Sequence, residues 1–364
     1  MERRYEESRA TIIDDGDAFL NSEARFSRDI SIALAKSIAS SSTKILDPTA
    51  ATGIRGIRYA LETDSKSVTF LEINRVAYAA LKRNIALNKL KATALNKSLQ
   101  EFANTTDERF DIIDLDPFGS PAPYIYDIMK ISKEGTYMMA TATDTAVLCG
   151  AHAGACMRIY DSVPIHSEIC HEVGLRILIG YIARTAAQFN YGVESVLAFS
   201  HRHYMRVMLR FAHGSSSAKN SISMLGYIYQ CGSCGYIGHS RGAFPSLLTC
   251  PQCGKRLNIG GRLWLGNIYD KGIISTVIRN LEEGSEGMKL IREISGELDT
   301  PAFFSIPKMT KLMGIGAISP AKASECLRQQ GFKTTPTHMQ RDSLKTDASI
   351  QDVKRCLAGL NSNK

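Results

Sequence analysis

Asp114-Leu115-Asp116-Pro117-Phe118-Gly119-Ser120-Pro121 closes the apolar run that begins at Phe110, and it sets two carboxylates and an aromatic ring at a chain reversal. The run Phe110 to Leu115 reads as a buried strand of a parallel sheet. Pro117, Gly119, Pro121 and Pro123 forbid its continuation as strand or helix, so its carboxyl end is a loop. In open α/β sheets ligands collect at the carboxyl ends of the strands. An acid, a proline and an aromatic ring there suit methylation of an exocyclic amine: the carboxylate and a backbone carbonyl accept the two N–H bonds, and the ring stacks on the base. Taken alone, the octapeptide fits a strand-ending turn with solvated acids better; the segments around it reverse that balance.

Upstream, Arg25-Phe26-Ser27-Arg28-Asp29 opens an amphipathic helix with Ile30, Ala33, Leu34 and Ile38 on one face. Lys44-Ile45-Leu46 is a short first strand. Asp47 to Gly56 is a small-residue loop feeding a helix expected from Ile57 to Thr63, the strand, loop and helix that a nucleoside-cofactor loop requires. A second strand, Ser67 to Glu72, ends in an acid 25 positions after Asp47, close to the offset at which an acid reaches a ribose diol. Asn74 caps the next helix, Thr93-Ala94-Leu95 is a third strand, and the Asp114 strand is the fourth. A helix over Tyr124 to Ile131 leads to a fifth, Thr136 to Ala140, followed by Thr141-Ala142-Thr143-Asp144. Strands alternating with helices in this way predict an α/β fold with a doubly wound parallel sheet.

The 364-residue length and 44% hydrophobic content suit about two domains. No apolar stretch is long enough to span a membrane, and Met1-Glu2-Arg3-Arg4 leads into acidic residues rather than a signal region, so the chain reads as cytoplasmic. A net charge of +8 suits a polyanionic partner. Nothing calls for an obligatory protein partner. Nine cysteines in such a compartment argue against a disulfide framework and for metal-ligand spacing. Cys231-Gly-Ser-Cys234, fifteen residues and Cys250-Pro-Gln-Cys253 have the spacing of a four-cysteine zinc site, closed and therefore structural, with His239 a possible replacement ligand. Cys149, His152 and Cys156 lie among Ala and Gly and read as buried small residues. Arg202, Arg206 and Arg210 fit either a basic strand face or simply exposed strand positions. His213 to Ser221 reads as a linker, dividing the chain into residues 1–213 and 214–364. Beyond it, Arg262 to Gly266 reads as strand, and Lys289 to Glu297 and Pro320 to Gln330 as helices. Lys308, Lys311, Lys322, Arg328, Lys333, Arg341, Lys345, Lys354 and Arg355 make the tail basic, as an RNA-backbone surface would be.

Phe19, Arg25 to Asp29, Thr52-Gly53-Ile54-Arg55-Gly56-Ile57-Arg58-Tyr59-Ala60, Asp114 to Pro121 and Thr141 to Asp144 resemble the archaeal and eukaryotic tRNA guanine-26-N2 dimethyltransferases. Cys170 to Leu178, His203 to Val207, Gly331-Phe332, Thr337-His338 and Lys345-Thr346 extend that likeness over nearly the whole chain. The resemblance implies a class I, Rossmann-like methyltransferase sheet with a C-terminal α+β domain that carries the zinc site and binds tRNA. Thr335 to Lys345 is similar to the recognition part of a winged helix. Residue by residue, the resemblance implies S-adenosylmethionine contacts from Arg28 and Arg55 at its carboxylate, Glu72 at the ribose, Ser98 and Leu99 beside the adenine, and Asp47 in the loop. It implies that Asp116 and the Pro117 carbonyl hold the guanine amine, Phe118 and Phe19 hold the base, and Asp114 orients the loop. Leu20, Ser22, Ser27 and Ser98 depart from the family pattern, which has Tyr, Pro, Asn and Asp there. The rival readings are a methyltransferase acting on another amine and a zinc-ribbon RNA-binding protein without activity.

Overall fold

The computed structural model describes residues 3–362; Met1 and Glu2 of the amino-terminal reading lie outside it. Strands β1 (Arg3–Glu7) and β2 (Ala10–Asp14) form a hairpin that precedes helix α1 (Arg25–Ile38). The alternation then runs β3 (Lys44–Asp47), α2 (Ile54–Glu62), β4 (Ser67–Leu71), α3 (Arg75–Leu87), β5 (Thr93–Leu95), α4 (Leu99–Thr105), β6 (Phe110–Leu115), α5 (Ala122–Lys130) and β7 (Ser132–Ala142). Three helices follow, α6 (Thr145–Leu148), α7 (Ala153–Tyr160) and α8 (Cys170–Ala187), then the hairpin β8 (Tyr191–His201) and β9 (Tyr204–His213). The seven strands lie in the order β5-β4-β3-β6-β7-β9-β8, the first five parallel and the β9-β8 hairpin antiparallel at one edge. The expected parallel sheet is therefore present, with all its carboxyl ends on one side. The Asp114 strand is central, with Phe110, Ile112, Ile113 and Leu115 buried, as a parallel sheet covered on both faces requires.

Two boundaries differ from the sequence reading. Helix α2 starts at Ile54 rather than Ile57, because Gly53 in the left-handed region (φ 83°) ends the loop three residues earlier. The expected linker His213 to Ser221 is mostly helix: α9 spans Ser215–Ser223, buries Ala218 and Ser221, and accepts the Val193 N–H on the Ser221 hydroxyl at 2.7 Å. Its Gly, Ser and Lys content suggested flexibility, whereas the helical spacing of Ala218, Ser221 and Ile222 lays one face on β8.

Strands β10 (Leu225–Gln230), β11 (Ile237–Arg241) and β12 (Asn258–Trp264) form a second sheet, followed by α10 (Lys271–Asn280) and α11 (Glu286–Gly296). Helix α8 is buried along most of its length because it packs on β8 on one side and β12 on the other. One apolar cluster accordingly runs from Ala10 through Leu263, Ile274 and Ile291 to Met339. The last unit comprises β13 (Phe304–Ser305), α12 (Ile306–Met313), α13 (Pro320–Gln329), β14 (Thr334–Pro336), β15 (Ser343–Thr346) and α14 (Ile350–Ser362), around its own core of Ile306, Met309, Leu327, Leu344 and Leu357. Thr335 to Lys345 lies in the antiparallel strands β14 and β15 and the turn between them, a wing-like hairpin. Cys326 and Cys356 are disulfide-bonded between α13 and α14, a pairing that the reading against a disulfide framework did not include; the two helices bring their Cα atoms to 5.9 Å. Among the described residues no helix is long and apolar enough to cross a membrane.

Candidate active site

The loop after β3 is shaped by close approach. A Cβ on Gly56 would stand 2.2 Å from Phe70 Cε1, and one on Gly53 2.4 Å from Leu81 Cδ1, so neither position accepts a side chain without repacking. Asp47, at the end of β3, is buried and accepts the Gly56 N–H at 3.0 Å. Burial pushes its carboxyl up to about 7 despite the neighbouring Arg55 guanidinium. Glu72 holds the loop from the end of β4: its carboxylate oxygens accept the Ala51 N–H at 2.8 Å and the Asn74 N–H at 2.7 Å. Ser98 caps α4 by accepting the Glu101 N–H at 3.0 Å, and Leu99 is buried beneath it.

At the end of β6 the two aspartates take different environments. Asp114 is fully enclosed, accepting from the Tyr59 hydroxyl at 2.5 Å, from Arg206 at 2.6 Å and from Arg55 at 3.1 Å. Asp116 sits one pleat further out, with 29% of its side chain exposed, and its Oδ2 accepts from the other amino group of Arg55. Burial alone would raise the Asp116 carboxyl, but Arg55 and Arg206 outweigh it and hold it at about 2. Arg55 thus bridges the enclosed carboxylate and the half-buried one in one fork. Beyond Asp116 two large rings face solvent, Phe118 at 77% and Phe19 at 54% exposure, with centroids 4.6 Å apart at 68°. The loop carrying Phe118 is clamped on the segment after β7: Thr143 N–H donates to the Gly119 carbonyl at 2.9 Å, and Gly119 N–H to the Thr143 hydroxyl at 2.8 Å. Ser120 donates to the Tyr160 hydroxyl, which donates to Asp144.

Phe19, Asp116 and Phe118 therefore gather at the sheet's carboxyl edge together with the Asp47 loop and Glu72. Arg28 is buried against Glu7 of β1, to which its Nε donates at 2.7 Å, and reaches the Asn21 carbonyl at 3.0 Å; the hairpin that supplies Glu7 has no counterpart in the sequence reading. A buried carboxylate flanked by Arg28 and Arg58 keeps its proton off, and Glu7 is held at about 2, the two cations overcoming its burial. The expected basic face of Arg202, Arg206 and Arg210 does not form. Arg202 pairs with Glu23 and Arg210 with Glu194, while Arg206 is fully enclosed under α1, donating to Asp114, to the Thr141 hydroxyl at 2.7 Å and to the Ser31 hydroxyl at 2.8 Å. The available signal was an arginine set directly between the apolar residues Met205 and Val207-Met208-Leu209, which argues for a buried partner.

The family's sequence model, described as N2,N2-dimethylguanosine tRNA methyltransferase, matches residues 2–358. The chain belongs to this family. It is 32% identical over 352 residues to the tRNA (guanine(26)-N(2))-dimethyltransferase of Methanothermobacter thermautotrophicus, covering 94% of this chain and 93% of that protein. The enzyme of the same name from Pyrococcus horikoshii is 34% identical over 372 residues, at 95% coverage of each. The solved complex of Trm1 from Pyrococcus horikoshii with S-adenosyl-L-methionine superposes with a TM-score of 0.90 at 32% identity, covering 97% of this chain and 99% of that one.

The N2,N2-dimethylguanosine methyltransferase sheet is joined in this chain to the four-cysteine group. Cys231 and Cys253 approach at 3.5 Å between sulfurs, as do Cys234 and Cys250, and all four sulfurs lie within 4.8 Å of one another. Tetrahedral zinc with Zn–S near 2.3 Å requires sulfurs about 3.8 Å apart, so the donor set fits the ion. Each knuckle folds alike: Gly235 N–H returns to the Cys231 carbonyl at 3.0 Å and Gly254 N–H to the Cys250 carbonyl at 2.9 Å, both glycines at positive φ. His239 is not a member of the group. In the tail, Lys345 leaves the expected basic surface: it is buried, 3.3 Å from Glu172 and 3.6 Å from Glu297. Lys308 pairs with Glu168, whereas Lys311, Lys322, Arg328, Lys333, Arg341 and Arg355 are exposed.

Proposed function

We propose that this chain transfers methyl groups from S-adenosylmethionine to the exocyclic N2 amine of guanine at tRNA position 26, giving N2,N2-dimethylguanosine, in the cytoplasm. The observation that carries the reading is Asp116, kept ionised by Arg55 at the carboxyl edge of the sheet beside two exposed phenylalanine rings. A guanine amine is a poor nucleophile because its lone pair is delocalised into the ring. Asp116 and the Pro117 carbonyl accept its two N–H bonds and turn the nitrogen toward the cofactor loop, so orientation and electrostatics supply the acceleration. A carboxyl held near 2 is a weak base, so Asp116 positions the amine rather than storing its proton, which leaves to solvent after transfer. The base has to leave its helix to reach this depth. Phe19 and Phe118, in mutual contact here, part to take it between them, each face contributing on the order of 1–3 kcal/mol of stacking.

The cofactor, when bound, supplies an electrophilic methyl group on a sulfonium. The loop from Asp47 to Gly56, Glu72 and the Ser98-Leu99 wall would cradle its nucleoside. Arg28 and Arg55 would meet its carboxylate with the donors that Glu7, Asn21, Asp114 and Asp116 do not use. The exposed cations of the last unit and the ribbon, held by structural zinc on Cys231, Cys234, Cys250 and Cys253, grip the tRNA body, so residues 1–213 carry the chemistry and 214–364 the recognition. Asp116→Asn should lower turnover roughly 100-fold or more while S-adenosylmethionine affinity is retained. Nucleoside analysis of methylated tRNA with both proteins tests the product and the residue together. Full activity in the variant removes Asp116 from the mechanism, and a product other than N2-methylated guanine removes the reading.

A further inference from the structure

The sequence reading grouped Cys149, His152 and Cys156 and gave them to the core. The fold separates them. His152 is exposed at the start of α7, and Cys156 is fully buried as a small apolar group. Cys149, at the end of α6, instead meets the start of α8, where Cys170 and His171 stand; Cys149 Sγ, Cys170 Sγ and a His171 ring nitrogen all lie within 4.8 Å of one another. Cys170 Sγ and His171 Nδ1 are 3.9 Å apart. The donors come from two elements about twenty positions apart in sequence, so the fold, not chain adjacency, assembles them. Cys149 is buried and the other two are half-buried, which leaves an ion a route in and a face for a fourth, solvent ligand.

We propose that Cys149, Cys170 and His171 form a second transition-metal site, separate from the ribbon and selective for zinc-like ions. Two thiolates and an imidazole are the soft and borderline donors such ions prefer, and three protein ligands with one open position is an accepted zinc stoichiometry. Binding replaces two thiol protons with the divalent cation, leaving the cluster neutral, which suits a half-buried place. The site has a structural consequence at the active centre. Helix α6 is a single turn, with the Thr143 clamp on Gly119 at one end and Cys149 at the other. An ion tying Cys149 to α8 fixes the foot of the segment that holds the Phe118 loop.

Metal analysis of the purified full-length protein tests this without relying on activity. The expected content is about two zinc equivalents per chain, falling to about one in Cys170→Ser and, independently, to about one in Cys231→Ser. Cobalt substitution of Cys231→Ser should keep a thiolate-to-metal charge-transfer band that His171→Gln weakens. Should the α8 variants fail to fold, stepwise release of zinc from the wild-type protein by an organomercurial decides the question, two stages being expected. One equivalent in wild type, lost in Cys231→Ser and retained in Cys170→Ser, overturns the second site and leaves the ribbon assignment intact. One equivalent with the reverse pattern supports this site and removes zinc from the ribbon. A metal-free Cys149–Cys170 disulfide in the native protein also overturns it.

Discussion

Replacing Arg206 by Met tests the frame that holds Asp116. The guanidinium has no exposed surface and makes three bonds of 2.6 to 2.8 Å, to Asp114, Thr141 and Ser31. Methionine fills much of the volume but leaves Asp114, also fully enclosed, with only the Tyr59 hydroxyl and one amino group of Arg55. Removing one partner of a buried pair costs about 3–5 kcal/mol, because the remaining charge has lost its compensation without regaining water. Arg55 keeps part of that compensation, so a loss of about 3 kcal/mol is expected, a large share of a typical 5–15 kcal/mol total. Urea denaturation with an unchanged slope and a lowered midpoint would report it. Asp114→Asn in the Arg206→Met background should recover part of the loss, since the unpaired charge then disappears; a cycle of the four proteins isolates that coupling. Arg55 should also be drawn toward Asp114 and away from Asp116, lowering turnover more than cofactor affinity. A midpoint shift worth less than about 1 kcal/mol, or strictly additive effects in the cycle, would refute the view that Arg206 neutralises Asp114.

Two further outcomes follow from the same geometry. Asp47 titrates near 3.8 when unfolded and at about 7 when folded, so its protonated form favours folding; that contribution is complete below about 4 and is lost as pH rises through 7, and Asp47→Asn should flatten the decline in wild-type stability between those limits, whereas parallel curves would place the raised group elsewhere. A fragment ending near Ser217 should not fold, because α8 would lose β12 and α1 would lose α10 and α11; a soluble fragment with native-like circular dichroism and S-adenosylmethionine binding would contradict this.

The alternation of strands and helices up to Ala142 was legible because β3, β4 and β6 are short, largely apolar runs that end at or just before an acid, and buried parallel strands require such runs. Cys231, Cys234, Cys250 and Cys253 were legible because spacing alone nearly fixes a four-thiolate group. The partners of the site's charges were not. Arg55 is a strong candidate for an anion on sequence grounds, but its bond to Asp116 depends on how far α2 leans over β6, and Glu7 of the hairpin reaches Arg28 from 21 positions away. Arg206 lies 92 positions beyond Asp114, and only the antiparallel pairing of β9 with β7, Thr141 opposite Arg206, brings it there. The helix α9 was hidden by its serines and glycine, which are turn-like in composition but carry a buried face.

The methyltransferase sheet and the C-terminal units are welded rather than strung together, and the buried polar groups show where. Glu172 on α8 accepts from Arg176 at 3.0 Å and from the Ala302 N–H at 2.9 Å, and lies 3.3 Å from Lys345 of the wing. Lys345 is also near Glu297, whose carboxylate contacts His338 at 2.5 Å, and Arg176 donates to the Trp264 and Gly266 carbonyls. Well-packed hydrophobic groups would give as much stability as this ionic cluster, so stability is a poor explanation for it. Directional bonds do what apolar contacts do not: they permit only one register of α8, the second sheet and the wing. A guanine is chemically the same wherever it occurs in tRNA, so selecting one of them means measuring its distance from phosphates gripped elsewhere. That measurement requires a rigid ruler between the exposed cations of the last unit and Asp116. On the proposed reading helix α8 would serve as that ruler, since it starts beside Cys149 and holds β15 through Glu172, two residues into the helix.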